Sequence, residues 1–147
     1  MSIRIIKGSL LDAETDYICH QVNCKGVMGA GLALAIRMVY PTAYSKYRYA
    51  CLHTDKDLLG CVQIIGRVIN IFGQRDYSCQ GPRKTDYTAL ETAFKKLHNK
   101  LPLDKSLAFP YGFGCGLAGG NWDVVFDLIQ TNFPNRNIEI YKNKEVF

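Results

Sequence analysis

The stretch His20–Tyr40, HQVNCKGVMGAGLALAIRMVY, decides how this chain is read. Its first residues close a strand that starts near Asp16 and ends at Asn23. Side chains alternate along a strand, so Ile18, His20 and Val22 share one face and Cys19, Gln21 and Asn23 the other. The glycines of GVMGAG, 26–31, then break the strand, and a helix follows with Leu32, Ile36 and Val39 as its apolar stripe. A helix start carries unpaired N–H groups and a partial positive charge. Glycines beside it let the backbone approach an anion closely. Taken alone, such a glycine pattern serves a tight turn as readily as a phosphate.

Outward from this junction, strands and helices alternate. Ile3, Ile5 and Ile6 before Gly8 predict a short opening strand. Pro41 ends the first helix and suits the first position of a second, whose inner face carries Tyr44, Tyr47 and Cys51. Residues 61–72, CVQIIGRVINIF, read as two strands around a turn at Gly66–Arg67. The polar stretch QRDYSCQGPRKTD leads into a helix from Thr85 on which Tyr87, Leu90, Phe94, Leu97 and Leu101 keep helical spacing. Ser106–Pro110 is a short strand. A last helix, with Asn121 as its N-cap, carries Trp122, Val125, Phe126, Ile129 and Phe133 inward, and Ile138–Tyr141 closes as a strand. This alternation predicts a single α/β domain over 1–147, layered around a mixed sheet.

The stretch GFGCGLAGG, 112–120, repeats the chemistry of the first junction, again between a strand and a helix. It is too dense in glycine for simple chain reversal. Ligands of open α/β sheets sit beyond the carboxyl ends of the strands, where both loops belong. Several charge-assisted hydrogen bonds, each worth roughly 1.5–3 kcal/mol, could hold a diphosphate there without Lys or Arg. GxxxxGK[ST] is absent, and GVMGAG is not the GxGxxG of dinucleotide folds.

The totals agree with an ordinary globular domain: 147 residues, 48% hydrophobic and 21% charged. A net charge of +5 favours anionic ligands in general but selects none, and neither Arg83–Lys84 nor Lys95–Lys96 has the length of a nucleic-acid tail. The six cysteines show no CxxC and no zinc spacing with histidine. With no signal-like N-terminal segment and no apolar run of membrane-spanning length, the expectation is a reduced, cytoplasmic protein without cofactor, structural metal or membrane contact.

HQVNCKGVMGAGLALAIR followed much later by PYGFGCGLAGGNW resembles the macrodomain family. Within it, the similarity is to the branch containing the terminal ADP-ribose glycohydrolase and the DNA ADP-ribosyl glycohydrolase antitoxins, with the order of elements agreeing from Ile3 to Tyr141. The resemblance implies a three-layer α/β/α sandwich and, as partner, ADP-ribose or an ADP-ribosylated protein or nucleic acid. Ser9 then takes the adenine-reading position, Leu10 and Gln21 are further ligand-binding residues, and Asn23 lies beside the distal ribose. Val27, Met28, Gly29, Ala30, Gly31 and Leu32 line that ribose and the phosphates. Tyr111, Gly112 and Phe113 lead to Gly114, Cys115, Gly116 and Leu117, which close over the diphosphate.

Three positions depart from the family pattern. Ser9 stands where an Asp usually reads the adenine amino group, leaving Asp12 or backbone groups to do so. Ala118 stands where the glycohydrolases carry an Asp. Their nucleophilic Lys aligns with the stretch IFGQRD, so Gln74 or Gly73 takes its place and the Lys–Asp mechanism does not transfer. The remaining route is water attack at the distal ribose, with Asn23 orienting ribose and water, a bound phosphate oxygen helping to take the proton, and Gln74 or Asp76 assisting.

His20, opposite Asn23 by strand parity, is read as a buried, hydrogen-bonded core residue. Cys115 is read as a loop residue packed against ligand. Tyr77, Tyr111 and Phe113 either stack on the nucleotide or serve as lid and core aromatics. Three functions follow in order: hydrolase of an ADP-ribose conjugate, non-catalytic ADP-ribose reader, and dehydrogenase-like dinucleotide domain, the last disfavoured by the missing fingerprint.

Overall fold

The structure is a computed structural model that describes residues 2–77 and 82–143. Cys79 and the centre of the polar stretch, 78–81, lie outside the described residues. Six strands and four helices follow the predicted order: β1 Ser2–Lys7, β2 Tyr17–Val22, α1 Gly31–Val39, α2 Pro41–His53, β3 Val62–Ile65, β4 Val68–Phe72, α3 Tyr87–Lys100, β5 Leu107–Pro110, α4 Trp122–Asn132 and β6 Asn137–Lys142. One sheet runs β1-β6-β5-β2-β4-β3, parallel throughout except for the antiparallel β3–β4 hairpin. The hairpin turns at Gly66, whose φ of 57° suits a residue without a Cβ.

Helices cover both faces, which makes the three-layer sandwich that was expected. On one face α1 and α2 bury Ile36, Ala43 and Tyr47 against Ile18, Val22, Val68 and Phe72. On the other, α3 and α4 bury Leu90, Phe94, Leu97, Val125 and Ile129 against Cys19, Ile69, Ile71 and Phe109. Phe94 touches Phe109, Phe113 and Phe133 at centroid distances of 5.7, 5.9 and 5.3 Å, which joins both helices to the sheet. β4 is buried along its whole length, as a central strand covered twice must be.

Two sequence expectations change. Val39 is 55% exposed, and Leu32, Ile36 and Tyr40 form the packed stripe instead. Spacing of i, i+4, i+8 follows the side of α1 that meets β2, whereas Val39 falls beyond it at the turn into α2. Strand parity also stops one residue early. β2 ends at Val22, so Asn23 is free to turn towards α2 and leaves the face of Cys19 and Gln21.

Asn121 caps α4 as expected, its Oδ1 accepting from Asp123 N at 2.9 Å. α3 starts two residues later than predicted because Asp86 is its cap, accepting from Ala89 N. Cys19, Cys24, Cys51, Cys61 and Cys115 are free thiols. Among the described residues no helix is long and apolar enough to cross a membrane, and no His/Cys/Asp/Glu group could hold a metal ion.

Candidate functional site

A cleft of about 1190 Å³ opens at the carboxyl ends of β2, β5 and β6, between the start of α1 and the loop before α4. The order of the sheet puts it there. β5 pairs with β2 although each registered pair, Tyr17 with Leu107 and Ile18 with Ala108, is 90 residues apart in the chain. Pairing these strands brings the two glycine loops face to face.

The first loop is built on Asn23, which is 6% exposed. Its Oδ1 accepts from Lys25 N at 2.9 Å, Val27 N at 3.3 Å and the Tyr47 hydroxyl at 2.7 Å, while its Nδ2 donates to Val27 O at 2.8 Å. Burial pushes the Tyr47 phenol far above its usual range, so it stays a neutral donor. Asn23 thus folds 23–27 into a fixed turn and keeps a single amide proton for anything in the cleft. Beyond it, among the described residues, the amides of Gly29, Ala30 and Gly31 donate to no backbone or side-chain group. Ala30 makes no side-chain cap to α1, so that helix start is open.

The second loop is pinned from below. Thr85 Oγ1 donates to Gly114 O at 2.5 Å, Gly120 N donates to the same carbonyl at 2.9 Å, and Thr85 N donates to Ala118 O at 3.1 Å. Gly116 and Leu117, the exposed crest of the loop, have amides with no partner among the described residues. Among the described residues no Asp or Glu lines the cleft and Lys142 is the one Lys or Arg that does, with Nζ lying 4.5 Å from the Tyr111 ring centre.

Fifteen of the seventeen ligand-binding positions suggested by the sequence sit in the cleft wall, and the side chains of two stand behind it. Met28, 1% exposed, packs with Val22, Tyr47 and Phe72. Cys115 packs onto the α3–α4 core instead of towards ligand; burial raises its thiol pKa, and its Sγ donates to Phe113 O. Ser9 lines the wall with its Oγ already accepting from Leu11 N at 3.2 Å. Asp12 opens onto a smaller neighbouring hollow.

Of the three residues given catalytic roles, Asn23 and Gln74 reach the wall and Asp76 does not. The Asp76 carboxylate turns back to accept from Tyr77 N at 2.7 Å. Gln74 has both ends of its amide engaged, accepting from Gln21 Nε2 at 2.7 Å and donating to Asp76 O at 2.5 Å. Tyr77 lines the cleft at 55% exposure, Tyr111 lies on its rim beside Trp122, and Phe113 belongs to the core cluster. His20 is buried as expected, with Nε2 2.6 Å from Asn70 Oδ1, and it also forms part of the cleft floor.

No family model matches the chain. The DNA ADP-ribosyl glycohydrolase of Mycobacterium tuberculosis is 46% identical over 44 residues, which make up 30% of this chain and 12% of that protein. An ADP-ribose 1''-phosphate phosphatase of Aspergillus oryzae is 41% identical over 51 residues, 34% of this chain and 25% of that one. These matches span far less than two thirds of the relatives concerned. Among solved structures, the macrodomain of Mycobacterium tuberculosis DarG superposes with a TM-score of 0.81 at 25% identity, covering 95% of this chain and 97% of that one.

The chain has the macrodomain fold. A further macrodomain-like match, Thermosipho africanus DarTG in complex with ADP-ribose, has a TM-score of 0.77 at 20% identity over 99% of this chain and 42% of that one. Sequence reading of this chain missed the end of β6, where Tyr141, Lys142 and Asn143 join the cleft wall. The signal was present: ligands gather at the carboxyl ends of all parallel strands, β6 included. Thr85 was also missed, and a threonine ahead of a helix offered no sign of the loop it supports.

Proposed function

We propose that this macrodomain binds ADP-ribose in the cleft and hydrolyses an ADP-ribose conjugate. One observation carries the binding reading: among the described residues, the amides of Gly29–Gly31 and of Gly116–Leu117 are unpaired and border one cleft with no carboxylate in its wall. Converging N–H groups beside an open helix start favour a compact anion such as a diphosphate. The cleft volume exceeds the span typical of small-molecule pockets, which suits a ligand of dinucleotide size. The names of the partial relatives and the ADP-ribose bound to a fold neighbour support the same ligand.

For hydrolysis, the free amide proton of Asn23 is the group proposed to orient ribose and water, with a ligand phosphate oxygen as proton acceptor. Gln74 would act by position, since neither end of its amide is unbonded. The second reading is a non-catalytic ADP-ribose reader. It is favoured by the placement of Asp76 outside the wall and by Ala118, which supplies no ionisable group.

The test is titration calorimetry with ADP-ribose and NAD, followed by turnover assays on ADP-ribosylated protein, ADP-ribosylated DNA, acetylated ADP-ribose and ADP-ribose 1''-phosphate. ADP-ribose should bind more tightly than NAD, and at least one conjugate should release ADP-ribose. Binding without any release establishes the reader. Asn23→Ala should lower turnover at least about tenfold; unchanged turnover in a variant that still binds ADP-ribose ends the catalytic role of Asn23.

A further inference from the structure

Beneath the second loop lies a chain of polar groups, of which Gln21 and Gln74 also line the cleft while Thr85 stands behind it. Gln21 Nε2, on β2, donates both to Gln74 Oε1 at 2.7 Å and to Thr85 Oγ1 at 3.0 Å. The Thr85 hydroxyl, its acceptor side used in this way, donates its own proton to Gly114 O at 2.5 Å. Thr85 is 1% exposed. Gln74 and Thr85 also form an isolated antiparallel bridge, and Asp86 N donates to Gly73 O at 2.8 Å. The loop after β4, the segment before α3 and the base of the second loop at Gly114 are therefore joined through three side chains, Gln21, Gln74 and Thr85.

The glycines around this relay have no spare room. A Cβ at Gly73 would lie 2.3 Å from Gln21 Oε1, and one at Gly114 would lie 2.9 Å from the same atom and 3.1 Å from Thr85 Oγ1. A Cβ at Gly120 would lie 2.6 Å from Gly114 O. By contrast, a Cβ at Gly116 would meet nothing within 4 Å. Glycines 73, 114 and 120 let backbone close onto the relay, whereas Gly116 stands clear of the protein with its amide unpaired.

We propose that Gln21 and Thr85 are positioning residues for the diphosphate: by fixing the Gly114 carbonyl inward, they hold the amides of Gly116 and Leu117 towards the ligand before it arrives. This inference rests on the ADP-ribose reading and deepens it. A carbonyl anchored on one side of a short glycine loop restricts the peptide planes that follow, and a loop set in its bound form loses less freedom when ligand binds. Thr85, buried and outside the cleft wall, works only through the loop.

Thr85→Val keeps the shape of the side chain and deletes the hydroxyl, while Thr85→Ser keeps the hydroxyl. Titration with ADP-ribose and with ADP should show Thr85→Val weakened about tenfold for both and Thr85→Ser close to the parent protein. Gln21→Met, which leaves Thr85 without its donor, should weaken both ligands in the same direction and serves if Thr85→Val does not fold. Parent-like affinity in a folded Thr85→Val, or in a folded Gln21→Met, overturns the inference alone. Weakening by Thr85→Ser as severe as by Thr85→Val also overturns it, because the hydroxyl would then not be the operative group. Absence of ADP-ribose binding by the parent protein overturns the ADP-ribose reading and this inference with it.

Discussion

His20 shows how one side chain's surroundings set its protonation and, through it, a pH dependence of the fold. Burial holds its pKa down at about 4, with the hydrogen bond to Asn70 opposing the shift. Asn70 Nδ2 donates to Ala43 O and Gln63 Oε1, so its Oδ1 faces His20 and Nε2 carries the ring proton. The unfolded chain takes up a proton near pH 6.5, which the folded chain refuses until about pH 4. Stability from this group is therefore complete above pH 6.5 and falls as the pH drops through that window. By pH 5 the loss relative to pH 7.5 should be about 2 kcal/mol. Urea denaturation at the two pH values checks this, comparing His20→Gln, which retains a donor for Asn70 and should lose most of that slope. An identical slope in the variant would remove His20 as its source.

At the scale of elements, the two glycine loops differ in what their glycines do. Gly29 would place a Cβ 3.6 Å from Val27, an ordinary contact, and Gly116 would place one in open space. Neither has a positive φ, so side chains at these positions should leave the fold intact. A carboxylate there would stand beside the unpaired amides and compete with a diphosphate for them. Gly116→Glu and Gly29→Glu should each fold with a melting temperature near the parent's and lose ADP-ribose affinity by at least about tenfold, equivalent to 1.4 kcal/mol. Folded variants with unaltered affinity would remove the loop amides from the binding site. Gly73, Gly114 and Gly120 make poor sites for this experiment, because a Cβ at any of them meets protein atoms first.

For the whole molecule, Arg136 ties the rear of the sandwich together, on the far side from any ligand chemistry. It is 1% exposed, and its guanidinium donates to the carbonyls of His98, Leu101, Pro102 and Lys105 at 2.7–3.1 Å. These carbonyls belong to the end of α3 and the connection into β5, so one side chain next to β6 closes the helix end that the C-terminal charge preference favours. Arg136→Met should lower unfolding free energy by about 3 kcal/mol or more, since several buried carbonyls lose a charged donor together. Denaturant titration gives the number, and a change below about 1 kcal/mol would mean water replaces the guanidinium at little cost.

The sequence by itself determined the order of strands and helices, the caps Asn121 and Pro41, the three-layer class and both glycine junctions, because each is a local matter of periodicity, φ freedom and missing side chains. Tertiary structure alone decided that Asn23 turns towards Tyr47, 24 residues on, and that Thr85 supports Gly114 from 29 residues away. Those choices depend on which groups meet once β5 lies against β2, and a hydrogen bond between distant segments leaves no periodic trace along the chain.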